Sequence, residues 1–311
     1  MPALSLPRLT SKSAPVTSRR ARIISTGVVS ESVFRAPDPR LDDIILGEYQ
    51  GWTESSAEVV RRREVPICAF PLIINFGAPF RLYDPARPVD GPRMLGTFAA
   101  GMYDSHVIVE SSGDSCCIQV NFTPIGARLF FQLPLSELSN RSLGLDELYG
   151  DHAWRVVKAL AEGGDWDRRF DLLDAIIAER IAKARSPRGE IQWAWRKLQE
   201  TNGRLEIGDL AEELGWSHKH LIAQFRDQLG TPPKRLGRVL RFQRAIERIG
   251  ACDAPRWVEL ALDCGYFDQS HMIREFRELA GCTPEEFVRL RLPIGGISAG
   301  KGAADEKSEQ R

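Results

Sequence analysis

The stretch Gly265-Tyr266-Phe267-Asp268-Gln269-Ser270-His271-Met272, continued by Phe276-Arg277, Gly281 and Pro284, decides the fold of the C-terminal part, because its framework occurs twice. The later copy opens at Leu260-Ala261, and the earlier one reads Leu210-Ala211, Gly215-Trp216, Leu221, Phe225-Arg226, Gly230 and Pro233. The Leu-Ala and Gly-aromatic pairs recur at an offset of 50 residues and the Phe-Arg, Gly and Pro positions at 51, so one residue is inserted inside the second copy. Leu210 with Leu214, and Leu260 with Cys264, put an apolar face on a first helix. Gly215 and Gly265 stand where that helix must stop and reverse, a left-handed position that suits glycine. Ser217 and Asp268 have the chemistry of N-caps for a following helix. On that helix Leu221 and Phe225, or Met272 and Phe276, lie four apart and turn inward, which leaves the residues between them facing out. This is the plan of a helix-turn-helix, whose second helix offers its N-terminal side chains to a major groove.

Between the two units, residues 233–249 have helical length and begin with proline at the first helical position. They hold Lys234, Arg235, Arg238, Arg241, Arg244 and Arg248 against Glu247, a net +5. Residues 188–293 as a whole hold 17 basic and 16 acidic residues, so the positive charge is concentrated on this connecting helix. Beside two turn–helix units, the expected role of Lys234, Arg235, Arg238, Arg241 and Arg244 is phosphate contact. The alternative is that some of these arginines pack their aliphatic stems against the two units.

Residues ~190–292 resemble the DNA-binding domain of the AraC/XylS family of transcription regulators, and the segment from Gly265 to Met272 with Arg274-Glu275-Phe276 and Gly281-Cys282-Thr283-Pro284 carries most of the likeness. The resemblance implies two helix-turn-helix units joined by a long helix, with the second helix of each unit in one of two successive major grooves. It assigns Lys219, Ile222 and Ala223 to the outward face of the first such helix, with His218 and His220 at its start. In the second it assigns Gln269, Ser270, His271, Ile273 and Arg274. The expected base-facing set is therefore His218, Lys219, Ile222, Ala223, Gln269, Ser270, His271 and Arg274.

Upstream the text changes character. Residues 1–22 carry Arg8, Lys12, Arg19, Arg20 and Arg22 with no acid and read as a disordered basic arm. From about residue 23 to 122, runs such as Leu72-Ile73-Ile74-Asn75-Phe76 and Cys116-Cys117-Ile118-Gln119-Val120-Asn121-Phe122 are short, β-branched and separated by turn residues. They predict a sandwich or barrel, and the adjacent Cys116 and Cys117 fit a strand with two faces. Thr123-Pro124 predicts a helix start, and Phe170, Leu172, Leu173, Ile176, Ile177 and Ile181 make one helical stripe. Ser186-Pro187-Arg188-Gly189 is read as a domain boundary that few contacts cross. The front half more loosely resembles the cupin-like sensor domains of the same family. The expected fold class is α+β in two domains: a β-barrel or jelly roll with trailing helices over 23–185, and an all-α domain over 188–293. Residues 294–311 read as a disordered tail.

Composition narrows the function. The 42 basic and 42 acidic residues cancel, so any nucleic-acid surface must come from local asymmetry. Six cysteines in 311 residues, with no C-x-x-C pair, are too few for a disulfide scaffold and read as thiols in a reducing compartment. His106 and His152 are the only histidines before residue 188, which leaves a metal-dependent cupin enzyme short of ligands. No cofactor, metal or catalytic group is expected. The N-terminus lacks an apolar signal core, and residues 65–80, the longest apolar stretch, contain three prolines, so a cytoplasmic protein without a membrane partner is expected. The reading is a sequence-specific regulator of double-stranded DNA, modulated by a small molecule or partner at its N-terminal domain. Two alternatives stay open: a DNA-binding module whose N-terminal domain only dimerises, and a cupin-type enzyme fused to a DNA-binding domain. RNA polymerase, a small-molecule effector and a second copy of the chain are the further partners the resemblance allows.

Overall fold

The computed structural model describes residues 18–25, 28–251, 255–292 and 296–299. Ten strands come first: β1 (Arg19–Ser25), β2 (Val28–Arg35), β3 (Tyr49–Ser56), β4 (Val60–Glu64), β5 (Phe70–Asn75), β6 (Phe80–Tyr83), β7 (Arg93–Leu95), β8 (Phe98–Ala100), β9 (Val107–Ser111) and β10 (Ser115–Phe122). Helix α1 (Pro124–Phe131), strand β11 (Ser142–Gly144) and helices α2 (Leu145–Tyr149), α3 (His152–Glu162) and α4 (Trp166–Ala182) follow. The C-terminal region holds α5 (Gly189–Glu200), α6 (Ile207–Glu213), α7 (His218–Leu229), α8 (Pro233–Gly250), α9 (Trp257–Asp263), α10 (Gln269–Ala280) and α11 (Pro284–Leu290), and ends in a short strand, β12 (Ile297–Ser298). The fold is thus α+β in two parts, antiparallel sheets first and helices after.

The strands form a seven-stranded sheet in the order β1-β2-β3-β10-β5-β8-β11 and a five-stranded sheet in the order β12-β4-β9-β6-β7. Strand β10 shows how the alternation of side chains builds the layers. Ile118, Val120 and Phe122 point to a large core that includes α1 and α4, while Cys117 joins Ile73, Phe80, Leu82 and Phe98 in a smaller core between the sheets. Cys116, next to it, is half-buried, so the pair of cysteines does straddle a strand with two faces. Helix α4 approaches so closely that a Cβ on Gly51 of β3 would meet the Trp166 ring at 2.5 Å. Thr123 caps α1 as its position predicts, its hydroxyl accepting from the Gly126 amide at 2.9 Å.

Three boundaries differ from the sequence reading. Strand β1 pairs with β2 from Arg19 onward, so the ordered sheet begins inside the segment read as a basic arm; residues 1–17 of that arm lie outside the described residues. Its Arg19-Arg20-Ala21-Arg22 text suits a sheet edge, where charge discourages further pairing. The tail read as disordered from 294 contributes β12, which pairs with β4 and buries Ile297, while residues 300–311 lie outside the described residues. The link at 186–189 is also not a gap between independent cores. Leu221, Phe225 and Leu229 of α7 belong to the same apolar core as Phe122, Phe130 and Phe131, and the Arg188 amide donates to Gln228 Oε1 at 2.9 Å.

Candidate nucleic-acid interface and ligand cavity

Each predicted unit closes as a helix, a tight turn and a second helix. Gly215 and Gly265 take φ of +64° and +85°, where a side chain would strain the backbone. The Ser217 hydroxyl accepts from the His220 amide at 3.2 Å, and Asp268 Oδ1 accepts from the His271 amide at 2.6 Å, so both N-caps form where the residue types predict them. Leu221 and Phe225, and Met272 and Phe276, are fully buried.

The outward residues follow. On α7, His218, Lys219 and Ala223 are exposed and Ile222 is half-buried; His220 is exposed with its ring edge-on to Trp216 at 4.7 Å. On α10, Ser270 and Arg274 are exposed, and Gln269, His271 and Ile273 are half-buried. Arg274 and Lys219 make no ion pair or hydrogen bond to another described residue. His271 is engaged within the protein: its Nδ1 accepts from the Phe267 amide at 3.3 Å, its Nε2 lies 3.6 Å from Glu275 Oε1, and its ring meets Tyr266 edge-on. Phe267, in the turn that leads into α10, is 85% exposed.

The basic connecting helix α8 divides in two. Arg238 Nε donates to the buried Glu275 of α10 at 2.9 Å and its Nη2 pairs with Glu278. Arg241 Nη1 donates to the Gly203 carbonyl at 2.8 Å, and its Nη2 lies 3.6 Å from Glu275. Arg235 pairs with Asp104 of the N-terminal part at 2.6 Å, and Arg248 with Asp263 at 2.8 Å. Arg244 is half-buried, with its Nε shielded and without a partner among the described residues. Lys234 is exposed and makes no hydrogen bond or ion pair to another described residue. Arginine's planar fork can bridge several acceptors at once, and here it braces one unit against the other and against the sheets.

A cavity of about 430 Å³ lies between the two sheets. Trp52, Ile73 and Phe98 wall it from one sheet and Arg62, Glu64, Phe80 and Leu82 from the other. Ile246 of α8, Phe287 of α11, Arg291 and Ile297 of β12 complete it. No motif marked these residues in the sequence. The one available signal was the run Arg61-Arg62-Arg63-Glu64 inside a strand, where alternation must carry charge to the inner face.

Residues 210–290 match a family described as a helix-turn-helix domain, and residues 34–144 match a domain of unknown function (DUF6597). No curated protein matches the chain. Among solved structures, ToxT from Vibrio cholerae is similar at 11% identity with a TM-score of 0.47, covering 78% of this chain and 97% of that one. The C-terminal domain of AraT, a response regulator from Geobacillus stearothermophilus, is similar at 23% identity with a TM-score of 0.32, over 38% of this chain and 94% of that one. The AraC-like transcriptional activator CuxR is similar at 13% identity with a TM-score of 0.30, over 75% and 86%. Residues 210–290 thus form a helix-turn-helix domain. No described helix is long and apolar enough to cross a membrane.

Proposed function

We propose that α7 and α10 enter two successive major grooves and that a small molecule in the cavity governs how the two helices are held. In this reading His218, Lys219, Ile222 and Ala223 on α7, and Gln269, Ser270, His271 and Arg274 on α10, face the bases. Lys219 and Arg274 are the strongest of the eight, because both are exposed, unengaged and positively charged. Lys234 contacts phosphate, while Arg235, Arg238 and Arg241 brace the units. The β-rich part is the sensor, with a jelly-roll arrangement of its two sheets.

One observation carries the regulatory half. The cavity wall is shared: the sheets supply most of it, and α8, α11 and β12 supply the rest. A molecule seated there touches the sensor and the DNA-binding region at once, so its binding energy depends on their relation, which is the condition for a population shift. The test is selection of DNA fragments from a random pool by the full chain. Enrichment of a site with two half-motifs roughly one helical turn apart, ~10 bp, is expected. Retention that depends only on salt, with no enriched sequence, counts against the reading. Filling the cavity by Ala100→Trp is expected to change the affinity for the enriched site although Ala100 lies in β8, in the sensor part.

A further inference from the structure

The insertion that separates the two copies falls at one residue. Gly215-Trp216 and Gly265-Tyr266 correspond at an offset of 50, whereas the N-caps Ser217 and Asp268 correspond at 51. Trp216 runs straight into its cap, while Phe267 stands between Tyr266 and Asp268, so Phe267 is the extra residue. Its ring is 85% exposed, more than any other large apolar side chain among the described residues. An apolar residue just before an N-cap commonly packs against the fourth residue of the helix, here Met272, and fixes the entry of the chain. Met272 is fully buried and Phe267 stays in solvent, so the ring does not serve that purpose. The residue is nonetheless held in place. The Phe267 amide donates to His271 Nδ1 at 3.3 Å, and the His271 amide donates to Asp268 Oδ1 at 2.6 Å. The His271 ring is itself seated edge-on against the buried Tyr266, with centroids 5.5 Å apart. These contacts tie the backbone of Phe267 to the first turn of α10 and leave its ring free.

We propose, resting on the reading of α10 as a groove helix, that Phe267 reads thymine: its ring packs on the 5-methyl group of one thymine in the major groove. A helix-turn-helix offers the N-terminal end of its second helix to base edges, and Phe267 adjoins that end. The methyl is the apolar feature of a major-groove base edge, and it marks thymine alone among the four bases. A phosphate gives such a ring nothing, because a hydrated charge gains no burial from it. The first unit has no counterpart to this residue. Its second helix opens with exposed His218, Lys219 and His220, which are hydrogen-bonding groups. The two half-motifs are therefore unlike, one depending on a methyl group and the other on hydrogen bonds.

The test takes the site selected by the full chain and replaces each thymine in turn by deoxyuridine, which removes the methyl alone. Affinity is measured by fluorescence anisotropy for the unaltered protein, Phe267→Ala and Phe267→Leu. One thymine is expected to lose about fourfold in affinity with its methyl, or ~0.8 kcal/mol for one buried carbon. Phe267→Ala is expected to bind the parent site at least about fourfold more weakly and to ignore that methyl. Phe267→Leu keeps an apolar side chain and should keep the dependence. Because the ring is exposed, neither variant should change the melting temperature. A site with no methyl-dependent thymine, or a dependence that survives in Phe267→Ala, overturns the proposal and leaves the groove reading standing. Undiminished binding by Phe267→Ala also overturns it, and assigns the ring, with the exposed Val258 and Leu262 of α9, to a protein partner. Failure to enrich any sequence overturns the groove reading and this proposal with it.

Discussion

The two helix-turn-helix units follow one plan and are attached to the molecule in different ways. In the first, α7 shares its core with the sheets and with α1. Its C-cap Gly230 fits so tightly that a Cβ would meet the Phe70 ring at 2.9 Å and the Leu135 carbonyl at 3.1 Å. In the second, α10 builds a separate core with Phe242, Ile249, Leu260 and Phe287. That core reaches the sheets at their edge, through Ile297 of β12 and the adjoining Val65, and at the end of α10 Arg63 Nη1 donates to the Ala280 and Gly281 carbonyls at 3.0 and 3.2 Å while the His106 ring covers Gly281. The difference teaches where a signal can act. The first unit is built into the core of the seven-stranded sheet; the second hangs on α8 and on the rim of the cavity. On the proposed reading, an effector works on the weaker attachment.

The largest expected effects come from the two cores. Phe225 and Phe276 are both fully buried, and replacing either by Ala is expected to cost about 3–5 kcal/mol. Phe225→Ala should lower one melting transition of the whole chain, because that core is shared. Phe276→Ala should split off an earlier transition belonging to the second unit. Differential scanning calorimetry reads the contrast, and a single transition for both variants breaks the comparison.

The attachment of the second unit is expected to depend on pH. Burial, and then the charge of Arg63, lower the His106 pKa from 6.5 to about 4, with Asp84 pulling the other way. The folded value lies below the unfolded one, so the unfolded chain takes up the proton first. The stability that neutral His106 contributes is therefore full above pH ~6.5 and is lost as pH falls towards ~4. Melting temperature against pH should fall less steeply for His106→Gln than for the unaltered chain. Parallel curves would remove His106 from the account.

The same contrast explains what the sequence discloses and what it hides. Both units are legible because their signals are local: Gly215 and Gly265 for the turn, Ser217 and Asp268 for the caps, and Leu221–Phe225 and Met272–Phe276 spacing for the buried face. The attachments are not legible, because they join residues far apart in the chain. Arg235 meets Asp104, and Arg63 meets the end of α10, and neither side shows its partner in its own neighbourhood. A helix with five net positive charges looks like a phosphate surface until Glu275 is seen buried beneath it. The Arg19-Arg20-Ala21-Arg22 text looks like an arm because an edge strand and a solvated tail favour the same residues. The cavity is hidden for a further reason. Its walls come together only through the packing of two sheets.

A sharper prediction concerns the second unit at the bases. Arg274 lies two residues from each of the buried Met272 and Phe276 and is exposed. Its fork can bond bidentately to guanine O6 and N7, a geometry lysine cannot reproduce. Arg274→Ala is expected to cost about 1–3 kcal/mol on the selected site and much less on random DNA, and Arg274→Lys should not rescue it. Equal losses on both kinds of DNA, measured by fluorescence anisotropy, would reduce Arg274 to a phosphate contact.

The smallest expected effect separates bracing from phosphate contact along α8. Lys234 is exposed and unengaged, whereas Arg241 holds the Gly203 carbonyl on one side and approaches Glu275 on the other. A phosphate contact releases counterions, so its loss shows in the slope of affinity against salt. A brace releases none, and its loss shows in stability. Lys234→Ala should therefore reduce the salt slope by about 1 and leave the melting temperature unchanged. Arg241→Ala should lower the melting temperature, because it leaves a buried carboxylate with one partner fewer, and should leave the slope where it was. If Arg241→Ala flattens the slope as Lys234→Ala does, the arginine exchanges its carbonyl and carboxylate for phosphate on binding. The two units are then held differently on DNA than off it, which moves the regulated step from the cavity rim to α8 itself.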